Sequence, residues 1–389
     1  MPPETSLLAP LPYHAELKDF LRKHEAPMWE WLASAVAKSE YAAEMRLDLL
    51  KSTYRLSPES HPQAYAQAEI AKAALGLDIP ITIYQSQQDR GLNASLSYLP
   101  GEGHIIFSGQ LLQLLKEDEL LFVLAHELAH YHLRERDGGT YDIMDRLVHT
   151  LANSPRSSPS HLHTARLAQL YTEIYCDRGS WLATREVAPM IRGLVKLQTG
   201  LADVHAESYL RQAQEVLRQK PGGSEETTHP EAYIRAHALS LWTQDPAASE
   251  IAIAAMIEGD RSIDELDLLG QVRLADLTRI MINDLLQPSW FRSDPVFAHA
   301  RLFFEDFAVG APSTLAQVPG RLPPQTKDYL GYVLLDFAVM DPELEDEPLK
   351  QAIRIAERWD FADSFAALAQ KELKLKKREW EKLAALKQP

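Results

Sequence analysis

The chain has 389 residues, 46% of them hydrophobic, so the length prior favours two or three domains with ample material for a buried core. Its 40 Lys and Arg against 55 Asp and Glu give a net charge of -15, which argues against nucleic acid or an anionic membrane as a general partner. The start MPPETSLLAPLPYHAEL has no basic stretch followed by an apolar one, no apolar run reaches about 18 residues, and the single cysteine, Cys176, forbids an internal disulfide, so a soluble, cytoplasmic protein with no integral membrane segment is expected.

Residues 14 to 76 are rich in Ala, Leu and Glu at helical spacing and are broken at Pro58 and Pro62. They predict two or three helices and an N-terminal helical scaffold over 1–76. From Ile79 the texture changes to the short runs IPITIYQSQ, LNASLSYLP and GHIIFSG, separated by polar or Gly/Pro turns. These predict a small sheet of about three strands.

Next comes ELLFVLAHELAH at 119 to 130, an apolar helical run that ends in His126-Glu127-Leu128-Ala129-His130. Positions i and i+4 share a helix face, so His126 and His130 can direct two imidazoles at one metal ion with Glu127 beside them. The pattern is that of a Zn²⁺ site for peptide hydrolysis, in which Glu127 takes a proton from an activated water and later returns it. Glu117, Asp118 and Glu119 place acid at the helix start, where the dipole favours it. Leu120, Leu121, Phe122, Val123, Leu124 and Leu128 make the helix apolar on most sides, so its two histidines and glutamate are expected to be buried.

A polar stretch, a short helix near 141 to 152 and the loop NSPRSSPS at 153 to 160 follow, and residues 137 to 160 form a candidate lid. A long helical pattern over 162 to 186 carries a second i, i+4 pair, Glu173 and Asp177. A zinc ion held by two histidines needs a third protein ligand, and a Glu from a separate helix is one solution. Asp177, one turn on, can then accept the free ring N–H of a ligating histidine, although an ion pair with Arg178 or Arg185 would also explain it. His149, His132, His161 and His163 are rival ligands, and Cys176 reads as a small packing residue. Further on, Thr228-His229-Pro230 opens a helix, from which His229 can reach into a cleft and hydrogen-bond an oxyanion, although the residues alone favour a capping or surface histidine.

Taken together, Asn93-Ala94, LPGEGHIIFSGQLL, DELLFVLAHELAH, Glu173-xxx-Asp177 and Thr228-His229-Pro230 with Arg235 five residues on resemble a family of zinc metallopeptidases. That family includes the HtpX-like heat-shock proteases, CAAX prenyl proteases and Oma-type mitochondrial proteases, and the resemblance covers roughly residues 75 to 240. It implies an α+β, mostly helical fold with a zincin-type domain, one zinc per chain, Glu173 as third ligand, Asp177 and Arg235 as supporting residues and His229 as a transition-state contact. It also implies a sheet-edge strand at Gly103, His104, Ile105 and Ile106, with Asn93 nearby, on which an extended protein or peptide substrate lies.

Residues 245 to 389 carry no catalytic motif. AAMIEGDRSIDEL around Asp260 and DFAVMDPELEDEPL around Asp341 form a weak repeat of helix, acidic turn and helix that resembles TerB-like helical domains. The acidic turns lack the glycine and terminal glutamate of an EF-hand, and helix N-termini explain the acids without a cation. The stretch 309 to 324 is Gly/Pro-rich and reads as a loop, and the basic last twenty residues read as a solvated helix. The domains expected are thus a scaffold over 1–76, a peptidase domain over 77–243 and an all-helical regulatory or partner-binding domain over 244–389. The favoured function is a soluble zinc endopeptidase. The alternative is a latched or inactive peptidase-fold protein that binds clients or partners.

Overall fold

The structure is a computed structural model that describes residues 8–87, 91–220, 222–314 and 322–385. It is 69% helical with one four-stranded sheet, a mostly helical α+β fold. The chain divides into two compact units, Met1–Asp260 and Arg261–Pro389. No helix among the described residues is long and apolar enough to cross a membrane.

The first unit contains α1 (Pro12–His24), α2 (Ala26–Ala33), α3 (Ala35–Ser52), β1 (Thr53–Arg55), α4 (Pro62–Ala74), β2 (Ile81–Ser86), β3 (Asn93–Leu99), β4 (Glu102–Ser108) and α5 (Leu111–Leu114). It continues with α6 (Glu117–Ala152), α7 (Pro159–Thr184), α8 (Ala188–Thr199), α9 (Ala206–Gln219), α10 (Ala232–Gln244) and α11 (Pro246–Glu258). Helices α1, α2 and α4 all pack on α6, so the helices of 1–76 and the HExxH helix share one compact body.

The sheet order is β1-β2-β4-β3. The fourth strand, β1, lies in a stretch that reads as wholly helical, because three residues are too few to show a period of two. Strand β4 runs parallel to β2 and antiparallel to β3, so Gly103, His104, Ile105 and Ile106 are paired on both flanks. This corrects the resemblance: these four residues are not at an edge, and their backbone groups serve the sheet itself. His104 is buried against the Tyr84 hydroxyl at 3.2 Å, and Ile105 is fully buried. The edge next to β4 is β3, which begins at Asn93.

Helix α6 begins in a capping box: the Lys116 N–H donates to Glu119 Oε2 at 2.8 Å. The same buried carboxylate takes Lys196 Nζ at 2.7 Å and Arg192 Nε at 3.0 Å, which ties α8 to the start of the HExxH helix. Burial raises the Glu119 pKa, but Lys196 and the Lys116 N–H more than offset this and hold it below the ordinary value. At its far side α6 breaks at 136–139, where Asp137, Gly138 and Gly139 all take left-handed conformations with φ of 51, 70 and 83°. Two glycines accept this geometry without steric cost, and Lys18 holds Asp137 at 3.1 Å.

Beyond the break α6 ends at Ala152, and α7 then runs unbroken from Pro159 past Glu173. The Ser/Pro loop therefore lies about 20 Å along α7 from Glu173, at 1.5 Å per residue, which rules it out as a lid over that residue. Close approach of α7 to α6 depends on Gly179, where a Cβ would fall 2.5 Å from Ala129 Cβ. Gly179→Ala is expected to destabilise the fold by about 1–3 kcal/mol by forcing the two helices apart. Urea unfolding measures this, and an unchanged midpoint would mean that the helices separate freely.

The second unit is all-helical: α12 (Leu268–Leu285), α13 (Asp294–Phe303), α14 (Pro324–Ala338), α15 (Glu347–Arg358), α16 (Ala362–Glu372) and α17 (Lys377–Ala385). Its core includes Leu285, Phe291, Leu334, Phe337, Trp359 and Phe365. The acidic turns serve the backbone: Asp267 Oδ1 accepts the Gly270 N–H at 2.9 Å and Asp341 Oδ1 the Glu343 N–H at 3.1 Å. The terminal helix is not simply solvated, since Trp380 packs edge-on against Phe365 with ring centroids 6.2 Å apart. Of the Gly/Pro stretch, 315–321 lies outside the described residues.

Candidate active site

Three parts of the chain bring the site together: α6 carries His126, Glu127 and His130, α7 carries Glu173 and Asp177, and α10 with the segment entering it carries Arg235 and His229. Glu173 is fully buried at the centre. Its Oε2 lies 3.3 Å from His126 Nε2, and its Oε1 lies 3.5 Å from His130 Nε2 and 3.6 Å from His229 Nε2. Three imidazoles from two elements thus turn their Nε2 atoms toward one carboxylate.

Behind them, Asp177 Oδ1 lies 3.1 Å from His126 Nδ1 and accepts Arg235 Nη2 at 2.6 Å, while Asp177 Oδ2 accepts Arg235 Nε at 2.9 Å. Arg235 Nη1 stands 3.2 Å from Glu173 Oε2. The guanidinium therefore grips Asp177 with two bonds and neutralises the acidic pair, while Asp177 fixes the ring of His126. Asp177 pairs with neither Arg178 nor Arg185: the Arg178 guanidinium goes to Glu250 at 2.8 Å and Arg185 lies over the Trp181 ring.

The charges follow from burial and these partners. Burial opposes a charge on His126, but Asp177 and Glu173 outweigh it and raise its pKa to about 9. Burial lowers His130 to about 3, which leaves it a neutral imidazole. Glu127 is raised to about 7, mainly by burial, with Glu173 adding to this and His126 opposing it. The backbone of Leu96, on strand β3, opposes the rise as well. For Glu173, burial raises the pKa but Arg235 and His126 lower it far more, so it stays ionised.

Both Glu173 oxygens are buried yet lack any hydrogen bond of proper geometry, although imidazole and guanidinium nitrogens stand within 3.6 Å. An ionised carboxylate left in that state suits a cation coordinated jointly with the imidazoles. His126, His130 and Cys176 also place one donor atom each within 4.8 Å of one another, the one such grouping of three among the described residues. Sulfur is the weaker candidate: burial first, then Glu173, Glu127 and Asp177, push the Cys176 thiol well up, so it keeps its proton. The two imidazoles and Glu173 therefore fit a zinc ion.

A cavity of about 60 Å³ lies over these groups, walled by Asn93, Ala94, Phe122, Val123, Leu194 and Leu197 as well as the polar residues. A larger one of about 470 Å³ shares Asn93, Leu194, Leu197, His229 and Arg235. A third, of about 300 Å³ between α3 and the sheet, contains none of the site's groups. Of the residues expected from the sequence, Asn93 reaches the cleft, whereas Gly103, His104, Ile105 and Ile106 do not line it. His132 instead contacts the Tyr175 hydroxyl at 2.6 Å, and His149 is exposed beside Asp145. Leu96, Leu194 and Leu197 were not foreseen. The amphipathic run MIRGLVKLQ between Pro189 and Gly200 is the signal that marks α8.

An HExxH helix faced by an acid-bearing helix, beside a short sheet, is consistent with a mostly helical α+β metallopeptidase fold. Residues 60–154 match the family model of Peptidase family M48, whose members are zinc-dependent metallopeptidases. No curated protein and no solved structure matches the chain.

Proposed function

We propose that the chain is a zinc-dependent endopeptidase that hydrolyses peptide bonds of protein substrates, with His126, His130 and Glu173 holding one zinc ion. The observation that carries this is the buried Glu173 carboxylate, ionised and without a hydrogen bond among three imidazole Nε2 atoms, next to a glutamate poised near neutrality. Held there, a zinc ion would supply Lewis acidity and lower the pKa of a water to about 7.

Glu127 receives the proton lost in hydrolysis and passes it to the departing amine. Asp177 orients His126 through Nδ1, and Arg235 fixes Asp177. His229, half-exposed at the cleft with Nδ1 2.9 Å from the Thr228 hydroxyl, is placed to steady the developing oxyanion. Strand β3 takes the edge role, and Asn93 stands where an added substrate strand enters the cleft.

Within the wider family the motif order resembles HtpX-like and Oma-type proteases, and the second unit, TerB-like in sequence, is read as a regulatory or partner-binding domain. The acidic composition supports a soluble, cytoplasmic setting, and no helix among the described residues is long and apolar enough to cross a membrane. A latched protein that binds partners without cutting them is favoured by one observation, the small cleft of about 60 Å³. The test is digestion of an unfolded generic protein by the zinc-loaded full chain, with and without a chelator. Fragments that disappear on chelation support the peptidase, whereas a chain that holds zinc and releases no fragments supports the latched reading.

A further inference from the structure

We infer that the 470 Å³ cavity beside the cleft is a specificity subsite for a lysine or arginine side chain of the substrate. The inference rests on the peptidase reading for where a substrate lies, since the two cavities share His229 and Asn93. Three kinds of lining group point to a long cationic side chain. Leu194 and Leu197 of α8 give an aliphatic wall for a methylene stem. Tyr209 of α9 and Tyr233 of α10 give aromatic faces that attract a cation.

Glu226 and Glu231 supply the countercharge. The Glu226 carboxylate makes no ion pair among the described residues, its backbone carbonyl alone being held by Arg166 Nε at 2.7 Å. Glu231 Oε1 accepts the Glu225 N–H at 2.9 Å, while its Oε2 is buried with no hydrogen-bond partner. Among the described residues no lysine lines the cavity, and the one arginine that does, Arg235, is committed to Asp177 and Glu173.

The field at the wall is negative: burial first, then the Glu231 and Glu225 carboxylates, push the Tyr233 hydroxyl up. An acidic side chain is repelled there. A neutral apolar one satisfies the leucines but leaves the charge of both carboxylates uncompensated. The chain's net charge of -15 draws basic segments toward the same opening.

The test uses the full zinc-loaded chain and peptides that differ only in carrying Lys, norleucine or Glu at one position, the position being scanned. Binding is measured by anisotropy on Glu127→Gln and cleavage by mass spectrometry on the unsubstituted enzyme. At the favoured position Lys is expected to bind about tenfold tighter than norleucine, the advantage shrinking with added salt. Glu226→Gln with Glu231→Gln is expected to bring that ratio near one, and both keep the side-chain shape and the acceptor for the Glu225 N–H. Glu226→Lys is expected to shift preference toward the Glu peptide. Equal binding of Lys and norleucine at every position overturns the subsite, as does cleavage with no Lys or Arg enrichment. A Lys preference in binding with no cleavage supports the subsite and removes the peptidase reading instead.

Discussion

Glu127→Gln is expected to keep its zinc and to lose peptide hydrolysis by about 10²–10⁴-fold. Glutamine matches glutamate in shape and keeps an acceptor oxygen, so the cleft stays in place. It has no site for a proton. Glu127 is suited to carry one because burial raises its pKa to about 7, where the carboxylate gains a proton and gives it up with little driving force in either direction. The proposed ligands, His126, His130 and Glu173, are untouched by the change. Metal content by elemental analysis and turnover of an unfolded protein are read on the same sample. Turnover within a factor of about three of the unsubstituted chain would remove Glu127 from the mechanism, and loss of metal would make it a ligand instead.

The helical half of this site is legible because the chemistry is written in the helical period. His126 and His130, and again Glu173 and Asp177, are four apart, so each pair shares a face before any tertiary structure is known. That the two faces meet depends on contacts remote in sequence, such as Gly179 against Ala129. The sheet half is less legible. HIIF in β4 is a continuous apolar run, the signature of a strand covered on both faces and paired on both flanks. The alternation in NASLSYL, with Asn93 and Ser95 exposed, marks β3 as a strand with one face toward solvent, and the strand order places it at the edge. Both signals are present, but the family resemblance drew attention to the wrong strand. The Ser/Pro loop has the composition of a lid, and composition carries no information on the roughly 20 Å that α7 sets between it and Glu173.

Glu173→Ala is expected to weaken zinc binding by at least about 100-fold, beyond the 10–100-fold typical of losing a partner that merely supports a ligand. The deletion removes the one ionised donor from a site whose remaining imidazoles are neutral or held as cations, and a divalent ion in a buried site needs that charge. Glu173→Gln keeps the volume and loses the charge, so it separates coordination from packing if the alanine variant folds poorly. The competing assignment gives the third position to Cys176, whose sulfur lies in the same donor cluster. Three carboxylates around a fully buried thiol oppose a thiolate, so Cys176→Ala is expected to leave zinc affinity within about threefold of the starting value. Competition against a chromophoric chelator ranks the variants directly. If Cys176→Ala loses the metal and Glu173→Gln retains it, sulfur is the ligand and Glu173 is a buried counterion for Arg235. The opposite ranking makes the Glu173 carboxylate the ligand, with Arg235 set 3.2 Å behind it to keep it ionised.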